Sequence, residues 1–418
     1  MSKDHSHSSD LRGLSRLTID AIVGVTKMVE EVNMTILNST AKWAVPVHKP
    51  LSSATSMVYR NIHAITNLVG DGIDSLLTWL TPLLMKNSGW KGRESVLAVL
   101  NGVLGDYLEA TQNPLTIKMS FRYSGQALSM EKSALAKAIP NLNGRILVLV
   151  HGLCMNDLQW RRGEHDHGAA LANDCGYTPV YLHYNSGRHI SINGREFAEK
   201  LETLVLNWPV AVEEIVILGH SMGGMLARSG FHYGSLAGHS WPKKLRKLVF
   251  VGTPHHGAPL ERGGNWFHVI IGNSAYTAPF SSLGKIRSAG ITDLRYGNLL
   301  DSDWKDYDRF AHIGDQRTAV PLPPKLQCYA IAATTGKKIG DIKDRLLGDG
   351  LVPVESALGR HNNPNLSLAF AAENTHIEYG MNHLDLLNQQ AIYQQLVSWL
   401  RVRDQVRHGG NRDTGIVK

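Results

Sequence analysis

The sequence predicts a doubly wound α/β domain with a mostly parallel sheet, a long irregular interval late in the chain and a helical region ahead of it. Three observations lead there. Short continuous apolar runs recur from residue 145 onward, helical stretches separate them, and the first hundred residues show apolar side chains spaced by three and four instead. Continuous apolar strands alternating with helices indicate a parallel sheet covered on both faces.

Taken in order, residues 1–10 (MSKDHSHSSD) are a polar tail without the apolar core of a secretory signal. Leu11, Leu14, Ile22, Val25, Val29, Val32 and Ile36 fall on one helical face, and Val58, Ile62, Ile65, Leu68, Val69, Ile73, Leu76, Leu77 and Leu80 on a second. A third helix is expected over residues 94–108. The apolar stretch from Ser75 to Met85 is interrupted by Thr78, Thr81 and Pro82 and is too short to span a bilayer. These faces need cover from the main domain, another subunit or a lipid surface. Lys27 is accompanied by Glu30 and Glu31, which weakens attraction to anionic lipid, so packing against protein is favoured and peripheral membrane contact comes second.

Strands are expected at 145–150, 179–183, 214–218, 245–251 and 326–332, with a last one at 375–379 and helices at 194–208 and 222–233. The interval from Pro254 to Pro324 is rich in Gly, Ser, Asn and Trp without a strong strand, and loops of that length are usually functional. The expected organisation is a helical region over 1–112, the α/β domain over 113–405 with an insertion at about 258–324, and a flexible tail over 406–418.

The charge balance excludes one class of partner. In 418 residues, 43 Lys and Arg stand against 36 Asp and Glu, a net charge of +7 with no basic tract interleaved with aromatics, so no nucleic-acid partner is expected. Three widely spaced cysteines, Cys154, Cys175 and Cys328, do not make a disulfide framework and point to a reducing compartment, the cytoplasm.

The chemistry centres on Gly219-His220-Ser221-Met222-Gly223, which follows the run EIVIL and opens a helix. A nucleophilic serine on a strained strand-to-helix turn needs glycines two residues to either side, because a Cβ there would strike neighbouring backbone. A serine also needs a base, and the base an orienting acid. Gly348-Asp349-Gly350 supplies an acid in a glycine-flanked loop after the strand at 326–332, with Asp341 and Asp344 as competitors. His383, in Gly380-Met381-Asn382-His383, follows the last strand, with His376 as its competitor. Backbone donors for an oxyanion are expected at Met222 N–H and at Leu153 N–H in the turn His151-Gly152-Leu153-Cys154. His165-Asp166-His167 and His255-His256 lack the three or four ligands a zinc site requires. No metal and no cofactor is expected.

Together, Val150-His151-Gly152-Leu153, Gly219-His220-Ser221-Met222-Gly223-Gly224, Gly252-Thr253-Pro254-His255-His256-Gly257, Gly348-Asp349-Gly350-Leu351-Val352-Pro353 and Asn382-His383-Leu384-Asp385 resemble the motif series of the α/β-hydrolase lipases and esterases, particularly bacterial lipases and the inositol-deacylase-like branch. The resemblance covers roughly residues 114–402. It implies hydrolysis of a small-molecule or lipid carboxylic ester with Ser221 as nucleophile, His383 as base and then acid, and Asp349 as its orienter, and it makes the segment after Gly257 a cap. Some lipases of this kind bind calcium through an aspartate placed like Asp385, which also reads as an ordinary acid in the first turn of the closing helix. In the cap, Trp266 and Phe267 are candidates for an acyl-binding wall. Two other readings stay open: an acyltransferase using the same triad, and a catalytically idle scaffold docking on lipid through its N-terminal helices.

Overall fold

The structure, a computed structural model, describes residues 92–258, 288–305, 317–337 and 348–401, together with 74, 77, 78, 81, 82 and 84. The helical face at 11–36, most of that at 58–80, the middle of the expected cap, Asp341 and Asp344, and the two tails lie outside the described residues.

The strands are β1 (Ser120–Tyr123), β2 (Gln126–Ala127), β3 (Arg145–Val150), β4 (Arg161–Arg162), β5 (His165–Asp166), β6 (Thr178–His183), β7 (Glu214–His220), β8 (Leu245–Val251), β9 (Gln327–Thr334) and β10 (Thr375–Tyr379). The helices are α1 (Arg93–Ala110), α2 (Lys132–Ala138), α3 (His167–Cys175), α4 (Ile190–Leu206), α5 (Met222–Leu236), α6 (Trp241–Lys244), α7 (Ala289–Tyr296), α8 (Val354–Ala357) and α9 (Gln390–Leu400). Eight strands form one sheet in the order β10-β9-β8-β7-β3-β6-β1-β2, while β4 and β5 form a separate ribbon. From β10 to β6 every pairing is parallel, and the β1–β2 hairpin adds antiparallel strands at one edge.

Alternation along the strands divides the core into two layers. On β3, Ile146, Val148 and Val150 point into a cluster with Phe197, Leu201 and Leu204 of α4 and Leu226 of α5. Leu147 and Leu149 point the other way, into a cluster with Leu171 of α3 and Ile392, Leu396 and Leu400 of α9. Burying each such side chain contributes about 1.5–3 kcal/mol. The expected strands are present, three of them (β3, β8 and β10) with the predicted bounds. The sequence reading did not anticipate the β1–β2 hairpin, whose strands are short and whose turn rests on left-handed Ser124 (φ 49°) and Gly125 (φ 75°).

A third apolar cluster caps the carboxyl ends of the strands. It joins Val96, Val99, Leu100, Val103 and Leu104 of α1 to Leu153 and Cys154, to Met222 and Met225 of α5, and to Ile291 and Leu294 of α7. Helix α1 reaches this position through glycines. A Cβ on Gly102 would overlap Cys154 Sγ and stand 2.9 Å from its Cα, and one on Gly105 would collide with Asn185. Ser288 Oγ donates to Gly102 O at 2.7 Å, and Ala289 N–H donates to Asp106 Oδ2 at 2.9 Å, which ties α7 to the same helix. Among the described residues no helix is long and apolar enough to cross a membrane.

Candidate active site

Strand register assembles the site. Val150 is level with Gly219, His220 with Val251, and Val251 with Ile331, so the turns leaving β3, β7, β8 and β9 meet at one edge. In open α/β sheets ligands bind at the carboxyl ends of the strands.

Ser221 occupies the turn between β7 and α5 at φ 55°, ψ −127°, a conformation that costs a non-glycine residue about 1–3 kcal/mol. Its surroundings hold it there. Its N–H donates to Val251 O at 2.9 Å and its carbonyl accepts from Gly224 N–H at 3.1 Å. A Cβ on Gly219 would stand 2.6 Å from Gly224 Cα, and one on Gly223 would overlap Val150 O, so these positions admit only glycine without backbone movement. The side chain of Ser221 caps no amide of the helix.

Asp349 and His383 form a buried pair, each 1% exposed. His383 Nδ1 lies 2.6 Å from Asp349 Oδ2, and His383 N–H donates to Asp349 O at 3.0 Å. The other carboxylate oxygen, Oδ1, accepts from Leu351 N–H at 3.0 Å and Val352 N–H at 2.9 Å. Three donors thus converge on one buried carboxylate. The carboxylate accepts, so Nδ1 is assigned the proton and Nε2 the lone pair. Nε2 is buried and has no hydrogen-bond partner among the described residues. The ring lies against residue 252, where an added Cβ would stand 3.1 Å from His383 Cε1, while Ser221 is bonded to residue 251 next to it. His376 is elsewhere, on β10, with Nε2 2.7 Å from Glu378 Oε1.

The turn after β3 lies beside the serine, since a Cβ on Gly152 would stand 3.0 Å from Ser221 Cβ. Cys154 adopts φ 58° and its N–H donates to Ser186 Oγ at 3.1 Å, which fixes the turn one residue past Leu153. Leu153 N–H has no acceptor among the described residues, and Met222 N–H opens α5, where amides have no partner within the helix. Burial pushes the Cys154 thiol well up and keeps it protonated. His151 stacks on Tyr184 with centroids 4.4 Å apart, and burial holds its imidazole neutral, with a pKa lowered to about 3.

Sequence reasoning missed His220. Its ring lies 4.7 Å from that of His383, and its Nε2 is 3.3 Å from His383 O. Burial first, and the neighbouring His383 second, push its pKa well down, so it is a neutral support for the base. Its position beside the serine was the available signal, but the contact spans 163 residues. Asp385 Oδ2 accepts from Asn382 N–H at 2.9 Å, fastening the loop around His383. Among the described residues no group of three or more His, Cys, Asp or Glu is arranged to hold a metal ion. Trp266 and Phe267 lie outside the described residues. A cavity of about 1100 Å³ opens between Tyr123, Asn141, His165 and Tyr181, and none of Ser221, Asp349 and His383 lines it.

The strand order and the strand-to-helix turn at Ser221 are those of an α/β-hydrolase fold. Residues 141–320 match the family model of the PGAP1-like alpha/beta domain. Among solved structures, the lipase BlEst2 of Bacillus licheniformis in its mature form is similar at 14% identity, with a TM-score of 0.39 over 68% of this chain and 98% of that one. A lipase-esterase related protein from Clostridium acetobutylicum is similar at 14% identity, with a TM-score of 0.36 over 68% and 99% of the two chains. RedJ, a thioesterase of the prodiginine biosynthetic pathway in Streptomyces coelicolor, has 15% identity and a TM-score of 0.33 over 62% and 91%. A comparison with curated protein sequences finds no match.

Proposed function

We propose that the protein is a serine hydrolase of carboxylic esters, of lipase or carboxylesterase type, with Ser221, His383 and Asp349 as its triad. The observation that supports this best is the buried 2.6 Å contact of Asp349 with His383 Nδ1, which leaves Nε2 as a bare acceptor beside a strained serine. In this reading Ser221 Oγ attacks the ester carbonyl carbon while its proton passes to His383 Nε2. The imidazolium so formed is stabilised by Asp349, and the oxyanion receives the Leu153 and Met222 amides. His383 then gives its proton to the leaving alcohol oxygen. A water, deprotonated by the same nitrogen, releases the acid and restores Ser221.

The substrate is an ester of a small molecule or a lipid, and the segment 258–324 acts as its cap, with Trp266 and Phe267 contributing an acyl-binding wall. Trp266→Ala and Phe267→Ala are expected to change the ratio of activities on long and short p-nitrophenyl esters more than they change Tm. The direct test of the triad is a fluorophosphonate probe. It should label the protein, lose that label in Ser221→Ala and block ester hydrolysis in proportion to labelling. Hydrolysis that persists in Ser221→Ala overturns the proposal. Formation of a new ester on adding an alcohol, in preference to the free acid, replaces hydrolysis by acyl transfer.

A further inference from the structure

The turn that carries His383 is tied to the rest of the molecule at both ends. On the near side, Met381 N–H donates to Thr334 O at 3.0 Å and His383 N–H to Asp349 O at 3.0 Å. On the far side, His167 Nε2 lies 3.0 Å from Leu386 O, a contact bridging 219 residues from the first residue of α3. The side chain of Leu386 in turn faces residue 252, where an added Cβ would stand 2.7 Å from its Cδ1, the same residue the His383 ring lies against. Leu386 and the base thus pack against the same residue, three positions apart on one turn.

The protons on this contact follow from what each partner can do. His167 is fully buried, and burial lowers its pKa to about 4, so its ring is neutral near pH 7. Leu386 O only accepts, so Nε2 carries the hydrogen and Nδ1 is bare. His165 Nε2 lies 2.8 Å from that bare Nδ1 and must donate to it. Tyr393 of α9 stacks on His167, with rings 7° from parallel, and meets His165 edge-on, while its hydroxyl donates to Asp174 Oδ2 at 2.6 Å on α3. The outer member, His165, lines the 1100 Å³ cavity. A donor from His165 on Nδ1 thus favours the tautomer of His167 that can hold Leu386.

We infer that His167, with its tautomer set by His165, is a positioning residue for His383 and acts through the Leu386 carbonyl. The inference rests on the proposed triad. His167→Phe keeps a ring against Tyr393 but removes the donor. His167→Gln puts an amide N–H where Nε2 stood. His165→Phe leaves His167 free to adopt the tautomer with a bare Nε2. A displacement of about 1 Å at a reacting group can cost about a hundredfold in rate. On a p-nitrophenyl ester, His167→Phe should lower kcat by about tenfold to a hundredfold with KM little changed, His167→Gln should restore most of it, and His165→Phe should fall between. A role confined to packing would lower Tm equally in the Phe and Gln variants and leave kcat per folded molecule at the wild-type value, and that result overturns the inference. If His167→Phe does not fold, wild-type kcat in the half-exposed His165→Phe variant overturns it instead. Failure of the wild-type protein to react with the fluorophosphonate probe sinks the triad itself, a separate outcome read before any variant is made.

Discussion

Ser221 and His383 meet at residues 251 and 252, but they are fixed in different ways. The serine is held by backbone against backbone: Gly219 on Gly224, Gly223 on the end of β3, and its own amide on Val251. The histidine is held by side chains from three distant segments, Asp349, His220 and His167. Steric exclusion of a Cβ is local and admits one residue type. A hydrogen-bond tie is long-range and tolerates any donor of the right reach. The turn at Ser221 is thus written in six consecutive residues, 219–224, whereas the seat of the base is written in pieces across the chain.

The largest effects are expected at the reacting atoms. Ser221→Ala and His383→Ala should each lower ester hydrolysis by about 10⁴–10⁶-fold and should not add when combined, because the two act as a unit. Asp349→Asn should cost less, about 10²–10⁴-fold, since the ring keeps its seat but loses the acceptor that sets its tautomer. Turnover with a series of purified variants checks all three, and near-normal activity of His383→Ala would assign the base to another histidine.

The next effect is on the fold. Gly223→Ala drives a Cβ onto Val150 O, a backbone atom that cannot swing aside, and should lower the unfolding free energy by about 1–3 kcal/mol or prevent folding. The matched change at a side-chain tie, His167→Gln, should leave the urea midpoint at neutral pH nearly unchanged. Equal losses for the two would erase the distinction between backbone and side-chain fixing.

The smallest effect is on stability against pH. His151 and His167 are neutral in the folded protein down to about 3 and about 4, whereas an unfolded histidine takes up its proton near 6.5. Between those values the unfolded chain binds more protons, so stability is full above pH 6.5 and falls as the pH drops toward 4. Urea unfolding across that interval should show the decline. His167→Gln should make it shallower by up to one proton, and an unchanged slope would mean that His167 is not neutral by burial.

The parallel strands were legible because both faces are covered and each run is continuously apolar. RILVLV and LRKLVFV became β3 and β8 with the bounds read from the sequence. The hairpin was not, since β2 has both its residues exposed and β1 buries only Phe121 fully. At the site, Asp349 stood out through its flanking glycines, which adopt φ 53° and 94°. His165-Asp166-His167 drew attention only as a possible zinc ligand set. Its use here is different: Asp166 Oδ1 accepts from Ala169 N–H at 2.9 Å to cap α3, His167 reaches Leu386 O, and His165 stands behind His167. No spacing rule reports a partner 219 residues away.

Helix α1 shows what such long-range dependence means for dividing the chain. The family match begins at residue 141, and the change from helical to alternating pattern falls near Asn113, so either point invites a cut. A fragment starting at either one would discard the surface on which Cys154 and α7 rest and bare Met222, Met225, Ile291 and Leu294 together. Such a fragment is expected to aggregate on expression. The boundary of the smallest working unit is then drawn by Gly102 and Gly105, ahead of every residue that the chemistry uses.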